Sequence, residues 1–185
     1  MYKRQIDSIS NSDAALLTLL PGATIAGDFD SVSSVTELDA LVIHRGSAII
    51  ADGTASDPIR LTSLQSLISA GGASGQWGGL VVNGYARINN CSTGTFVPDC
   101  EASAAFGTGR YGGNDDGDAS GVLRHVIIEY AGFVVGAGQA FAGLSLNGVG
   151  DSTIIESVQV HDSGGAGVAV NGGAVAIKKM ISANS

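Results

Sequence analysis

The chain has 185 residues, 44% of them hydrophobic, which is enough for one domain with a real core and excludes a disordered segment. Its 28 glycines follow no Gly-x-y period and are joined by 3 prolines, so collagen and proline-rich linkers are excluded and glycine must serve turns. A formal charge of −8, from 9 basic and 17 acidic residues, argues against a nucleic-acid partner, which would require a basic stripe; cations or neutral glycans are better matched.

The first five residues, MYKRQ, resemble the in-frame translation of a transposon end used in sequencing libraries and are set apart as a non-native scar. Residues 6–19 are read as a poorly defined N-terminal segment, and a single domain is expected over 20–185, cut at both ends. LVIHRGSAII, from 41 to 50, reads as an edge strand in which His44 or Arg45 points outward, and a lone histidine there is more often packed or solvated than a ligand. Trp77, at the mouth of GGLVVNG, can join Tyr85 and Tyr111 in a sugar-stacking face; the simpler reading has it capping the apolar core.

Residues 89–120 are too long for a turn and are read as an inserted loop, a kind of segment that often carries function. Within it Cys91 and Cys100 have neither a CxxC spacing nor a nearby histidine, so zinc and thioredoxin-like chemistry do not fit. A local disulfide is expected, and it forms stably in an exported protein. The loop ends in NDDGD, which sets Asn114, Asp115, Asp116 and Asp118 close together. These hard oxygen donors suit Ca2+, although the spacing is not that of an EF-hand, and the rival reading is a solvated acidic turn.

Two phrases then repeat. GLVVNG at 79–84 returns as GLSLNG at 143–148 and GVAVNG at 167–172, while LRHVIIEYA at 123–131 returns as IESVQVHDS at 155–163 and IKKMISANS at 177–185. Two phrases sharing a period of about 22–24 residues, each a short strand ending in Asn/Gly corner chemistry, mark one turn of a solenoid. The expected fold is therefore all-β, a right-handed parallel β-helix with one long inserted loop; the alternative is an antiparallel β-sandwich, which gives no reason for two phrases to recur in register. Stacking the phrases places Leu123, Ile155 and Ile177 in one inward column and Val126, Val158 and Met180 in another. It also lines up Asn83, Asn147 and Asn171 as a structural side-chain ladder, and Arg124, Glu156 and Lys178 as a charge ladder. Glu129 falls over His161, a weak candidate for acid/base chemistry, since no Ser, Lys or Arg is seen in register with the pair.

GQWGGLVVNGYARINNC, YGGNDDGDASGVLRHVIIEYAGF and LNGVGDSTIIESVQVHDS are similar to signatures of a group of secreted or lipid-anchored right-handed parallel β-helix proteins of Gram-negative bacteria, over roughly residues 20–185. The resemblance implies the fold and a location outside the cell or on the outer-membrane surface, and carries no reaction. Where typical members have an acidic and aromatic phrase this chain has SGGAGVAVNGG, so an acidic ligand site is not expected at that corner. The function expected is a non-catalytic exported module that binds a glycan or other surface component, with calcium stabilising the acidic turn if it binds there. A polysaccharide lyase or glycoside hydrolase on the same scaffold is the alternative, and a structural stalk the third reading. No apolar run reaches the roughly 18 residues of a membrane span.

Overall fold

A computed structural model describes residues 14–28, 39–68, 71–91 and 100–185, together with the backbone of Gln5–Ile6. Strands stack side by side into two sheets. One is five-stranded, in the order Gln5–Ile6, Ala40–Ile43, Gly79–Asn83, Leu144–Val149, Val168–Gly173. The other runs Ala176–Ala183, Ile154–His161, Gly121–Glu129, Ala48–Asp52, Leu16–Leu19, with Ile59–Ser63 pairing to both Gly121–Glu129 and Thr24–Gly27. Pairing within both sheets is parallel. Among the described residues antiparallel pairing is confined to two short hairpins, Val134–Gly136 with Gln139–Ala140 and Ala102–Ser103 with Arg110–Tyr111. The chain is a parallel β-helix, and the sandwich alternative is excluded.

The register between coils puts like residues over like. Leu41, Leu80, Leu144 and Val168 form one column of the first sheet, and Leu123, Ile155 and Ile177 form one of the second. Val126, Val158 and Met180 stack beside them. The inward residues of both sheets merge into one apolar core, because a single coil cannot bury its own apolar row and each must use the next. The last coil shows the same rule by default: Ile177 is 36% exposed, whereas Ile155 in the preceding coil is 1% exposed.

Corners are built differently from expectation. The long strands of the second sheet bend at single residues with positive φ, His125, Ser157 and Lys179, which the register skips in each coil. The earliest coils turn the same corner with the longer segment between Asp52 and Ile59. In the first sheet the asparagines do not make the corner. Asn147 and Asn171 remain in their strands and the positive φ falls on Gly148 and Gly172. At Gly121 glycine is required by close approach, since a Cβ there would lie 1.9 Å from the carbonyl oxygen of Ile49 in the neighbouring coil.

The N-terminal boundary also moves. Leu16–Leu19, placed by the sequence in a poorly defined segment, is a rung paired with Ala48–Ala51, because Leu17 and Leu19 extend the inward columns. Gln5 pairs with Val42, and the rest of MYKRQ lies outside the described residues.

The three asparagines form a continuous side-chain ladder. Asn147 Nδ2 donates to Asn83 Oδ1 at 2.9 Å and Asn171 Nδ2 donates to Asn147 Oδ1 at 2.7 Å. Asn147 is 3% exposed, so truncating it strands a buried partner as well as removing two bonds. Asn147→Ala is expected to cost about 1–3 kcal/mol in urea unfolding, whereas Ser145→Ala, in the half-buried column beside it, is expected to be near neutral. Equal effects of the two substitutions would show that the ladder contributes nothing.

Candidate functional site

Glu129 and His161 meet as the register dictates, with Glu129 Oε2 3.2 Å from His161 Nε2. Two further groups join them. Arg60 reaches the other Glu129 oxygen, and Asp162 Oδ2 lies 2.8 Å from His161 Nδ1. The imidazole holds the Asp162 carboxyl below its ordinary range. The Glu129 side chain is 5% exposed, with both oxygens occupied, and both ring nitrogens of His161 face carboxylates. No ring nitrogen is left to exchange a proton with a substrate, so the arrangement reads as an ion-pair network clamping three coils. Arg60 was missed in the sequence, although IRLTS at 59–63 aligns with VIIEY at 126–130 and the structure pairs Arg60 with Ile127.

The charge ladder is present with one change. Arg124 bonds Asp52 at 2.6 Å and approaches Glu156 at 3.6 Å, while Lys179, rather than the in-register Lys178, meets Glu156 at 3.3 Å. Lys179 is the positive-φ residue of its strand, and the bend there redirects its side chain.

The acidic turn is dispersed. Asp116 is taken up by the Arg87 guanidinium and main-chain nitrogen, and Arg87 keeps its carboxyl below the usual range. Asp115 accepts from Gly117, Asn114 is exposed, and Asp118 turns inward to Ser120 at 2.7 Å. Burial pushes the Asp118 carboxyl above its ordinary range, against hydrogen bonds from Ser120 and from the main chain at Tyr85 and Gly150. Asn114, Asp115, Asp116 and Asp118 therefore do not converge as a calcium ligand set, and no cluster of three or more His, Cys, Asp or Glu that could hold a metal occurs among the described residues.

The expected aromatic face does not assemble either. Trp77 is 1% exposed and donates its indole N–H to the Glu129 carbonyl, so it caps the core. Tyr85 carries the Arg45 guanidinium 4.8 Å from its ring centroid, and Tyr111 is buried.

The inserted loop does fold against the scaffold. Cys91 and Cys100 are joined by a disulfide, and with Ile88, Ala102, Ala104 and Tyr111 they form a small second core. Glu101 bridges Arg45 and Arg110, each at 2.6 Å, and Arg45 also donates to the Gly112 carbonyl. Asn83 Nδ2 donates to Thr108 O at 2.8 Å, tying the loop to the asparagine ladder.

Held in this way, the loop forms one wall of a cleft of about 330 Å³ on the outer face of the five-stranded sheet. The floor is the outward column Val81, Ser145 and Ala169. Phe106 and Phe141, with ring centroids 4.4 Å apart, close one side from the loop and from the segment after the hairpin. Phe106 reaches this position with φ 54, a conformation costing about 1–3 kcal/mol that the ring contact helps to hold. Past Asn90 and Asn171 the cleft continues into a more open stretch of about 440 Å³ beside Arg87 and Gly172. The cleft itself is lined by amide, hydroxyl, alanine and phenyl groups, with no Asp, Glu, Lys, Arg or His among its lining residues. Of the three proposed ligand-binding aromatics, Tyr111 lines it and Trp77 and Tyr85 do not.

A family model for a pectate-lyase-like β-helix domain matches residues 2–185. The chain belongs to this family. Within the pectate-lyase-like β-helix family the match accounts for the parallel coil on which the cleft is built, and it takes in most of MYKRQ. No curated protein and no solved structure gives a significant match to the chain.

The Glu101 clamp carries a pH prediction. Hydrogen bonding from Arg45 holds the Glu101 carboxyl below its ordinary value of 4.5. A depressed carboxyl contributes stability that is present above the ordinary value and lost as pH falls through the lower folded value. Hydrogen-exchange protection over residues 100–112 is therefore expected to hold at neutral pH and to fall in acid below 4.5, and Glu101→Gln is expected to remove that pH dependence. Protection unaffected by the substitution at every pH would leave the disulfide as the loop's main anchor.

Asp118 tests the reassignment of the acidic turn. Its carboxylate accepts from three donors, and an amide would turn N–H groups toward some of them. Asp118→Asn is expected to cost about 1–3 kcal/mol with or without millimolar calcium. A melting temperature that rises with calcium in the parent and not in the variant would restore the metal reading.

Proposed function

We propose that the protein is an exported, non-catalytic surface module that binds a neutral glycan in the cleft between the inserted loop and the five-stranded sheet. The observation that carries this reading is the chemistry of the lining: apolar and aromatic surface with a few placed amides and hydroxyls, and no charged side chain. Cleft volume and composition fall in the range of ligand sites, and phenyl rings beside amides suit the apolar faces and hydroxyl edges of sugars. The disulfide between Cys91 and Cys100 favours an oxidising compartment. The resemblance to secreted and lipid-anchored β-helix proteins of Gram-negative bacteria points to the outer-membrane surface or beyond. Acid/base chemistry would need an ionisable pair in the cleft, and the Glu129 network is spent on itself.

Titration calorimetry with a panel of neutral oligosaccharides is expected to show binding, and Phe106→Ala to weaken it about tenfold, or about 1.4 kcal/mol. Incubation with the bound glycan is expected to release neither new reducing ends nor unsaturated products. Absence of binding across the panel would sink the reading, and product release would turn it toward the lyase or hydrolase alternative.

A further inference from the structure

The asparagine ladder has a direction, and that direction fixes what its open end can receive. Thr108 offers Asn83 a main-chain carbonyl, which can only accept, so the Asn83 amide nitrogen must face it. Asn83 Oδ1 is then turned to the next coil, where it takes the N–H of Asn147, and Asn147 Oδ1 takes that of Asn171. The last rung therefore ends in an oxygen. Among the described residues nothing donates to Asn171 Oδ1, and Asn171 lines both stretches of the groove. Amides aligned head to tail polarise one another, so this oxygen is a directed acceptor.

Small apolar surface lies within one strand step of it. Ala169 precedes Asn171 by two residues on the same outward face, roughly 7 Å along the strand, and Ala166 and Phe141 border the same space. A hydroxyl satisfies the oxygen but leaves this methyl-sized surface unmatched. A charged group meets no counter-charge in the lining. A secondary amide bearing a methyl meets both demands, since its N–H and its methyl lie a few ångströms apart.

We infer that the cleft recognises an N-acetylated sugar, whose acetamido N–H donates to Asn171 Oδ1 while its methyl packs against Ala166, Ala169 and Phe141; the inference rests on the neutral-glycan reading above. It assigns Asn171 and Ala169 as specificity residues of the site. Both lie on the outermost rung of their sheet, where substitution disturbs few neighbours.

The test uses chitin-type and cellulose-type oligosaccharides of equal length, which share a linkage and differ in the acetamido group. Calorimetry on the full chain is expected to show the acetylated series binding at least about tenfold more tightly. Asn171→Ala, and separately Ala169→Leu, which fills the methyl site, are expected to bring the two series within about twofold. Equal binding of both series to the parent, or a preference that survives both substitutions, overturns the inference and leaves the neutral-glycan reading standing. Binding of neither these nor any other neutral oligosaccharide overturns both.

Discussion

Successive coils hydrogen-bond to one another residue by residue, so a side chain in one coil does not choose its neighbour; the register chooses it. A slip of one position would exchange the inward and outward rows of a whole strand. The constraint is met by apolar columns such as Val126, Val158 and Met180, by the amide stack on the other sheet, and by opposite charges where columns face water. It also explains the crowding at Glu129. A carboxylate at that position is carried to His161 by pairing alone, and it stays buried because Arg60 in the preceding coil supplies a counter-charge.

The cleft arises where this regular stack is interrupted. An insertion leaves the coil after Asn83, forms its own small core around a disulfide, and returns to lean on the outer sheet face. Three kinds of attachment hold it: the guanidinium groups on Glu101, the Thr108 carbonyl on the ladder, and the Gly112 main chain on Gly84. Each ends on the scaffold rather than within the loop, so the wall is positioned by the stack. A site on such a support keeps its shape without a ligand, which limits the ordering cost of binding.

Much of the fold was legible because repetition is a property of sequence. The columns containing Leu123 and Val126, the asparagine stack and the Glu129 pairing all follow from aligning two phrases. What was not legible has specific causes. The corners at His125, Ser157 and Lys179 adopt positive φ without glycine or asparagine, so no residue type announces them. Arg60 lies in a coil whose turn is lengthened, which hides its alignment with Ile127. Leu16–Leu19 was overlooked because its phrase does not resemble the later ones, although its leucines fill the same columns. The site was read least well. Trp77, Tyr85 and Tyr111 were grouped for their chemistry, whereas the cleft takes its rings from Phe106 and Phe141, which lie on separate excursions from the coil and share no sequence phrase.

The ladder steps between asparagines are unequal, 64 residues from Asn83 to Asn147 and 24 from Asn147 to Asn171, yet the rungs pair alike. Chain-closure entropy grows with the logarithm of loop length, so the longer excursion adds less than about 1 kcal/mol to the cost of joining two rungs. The scaffold is thus nearly indifferent to what is spliced between its rungs. Exchanging one excursion for another changes the wall of the cleft while the asparagine end and the sheet floor remain, a route by which a lineage of such coils can alter what it holds without having to reinvent how it folds.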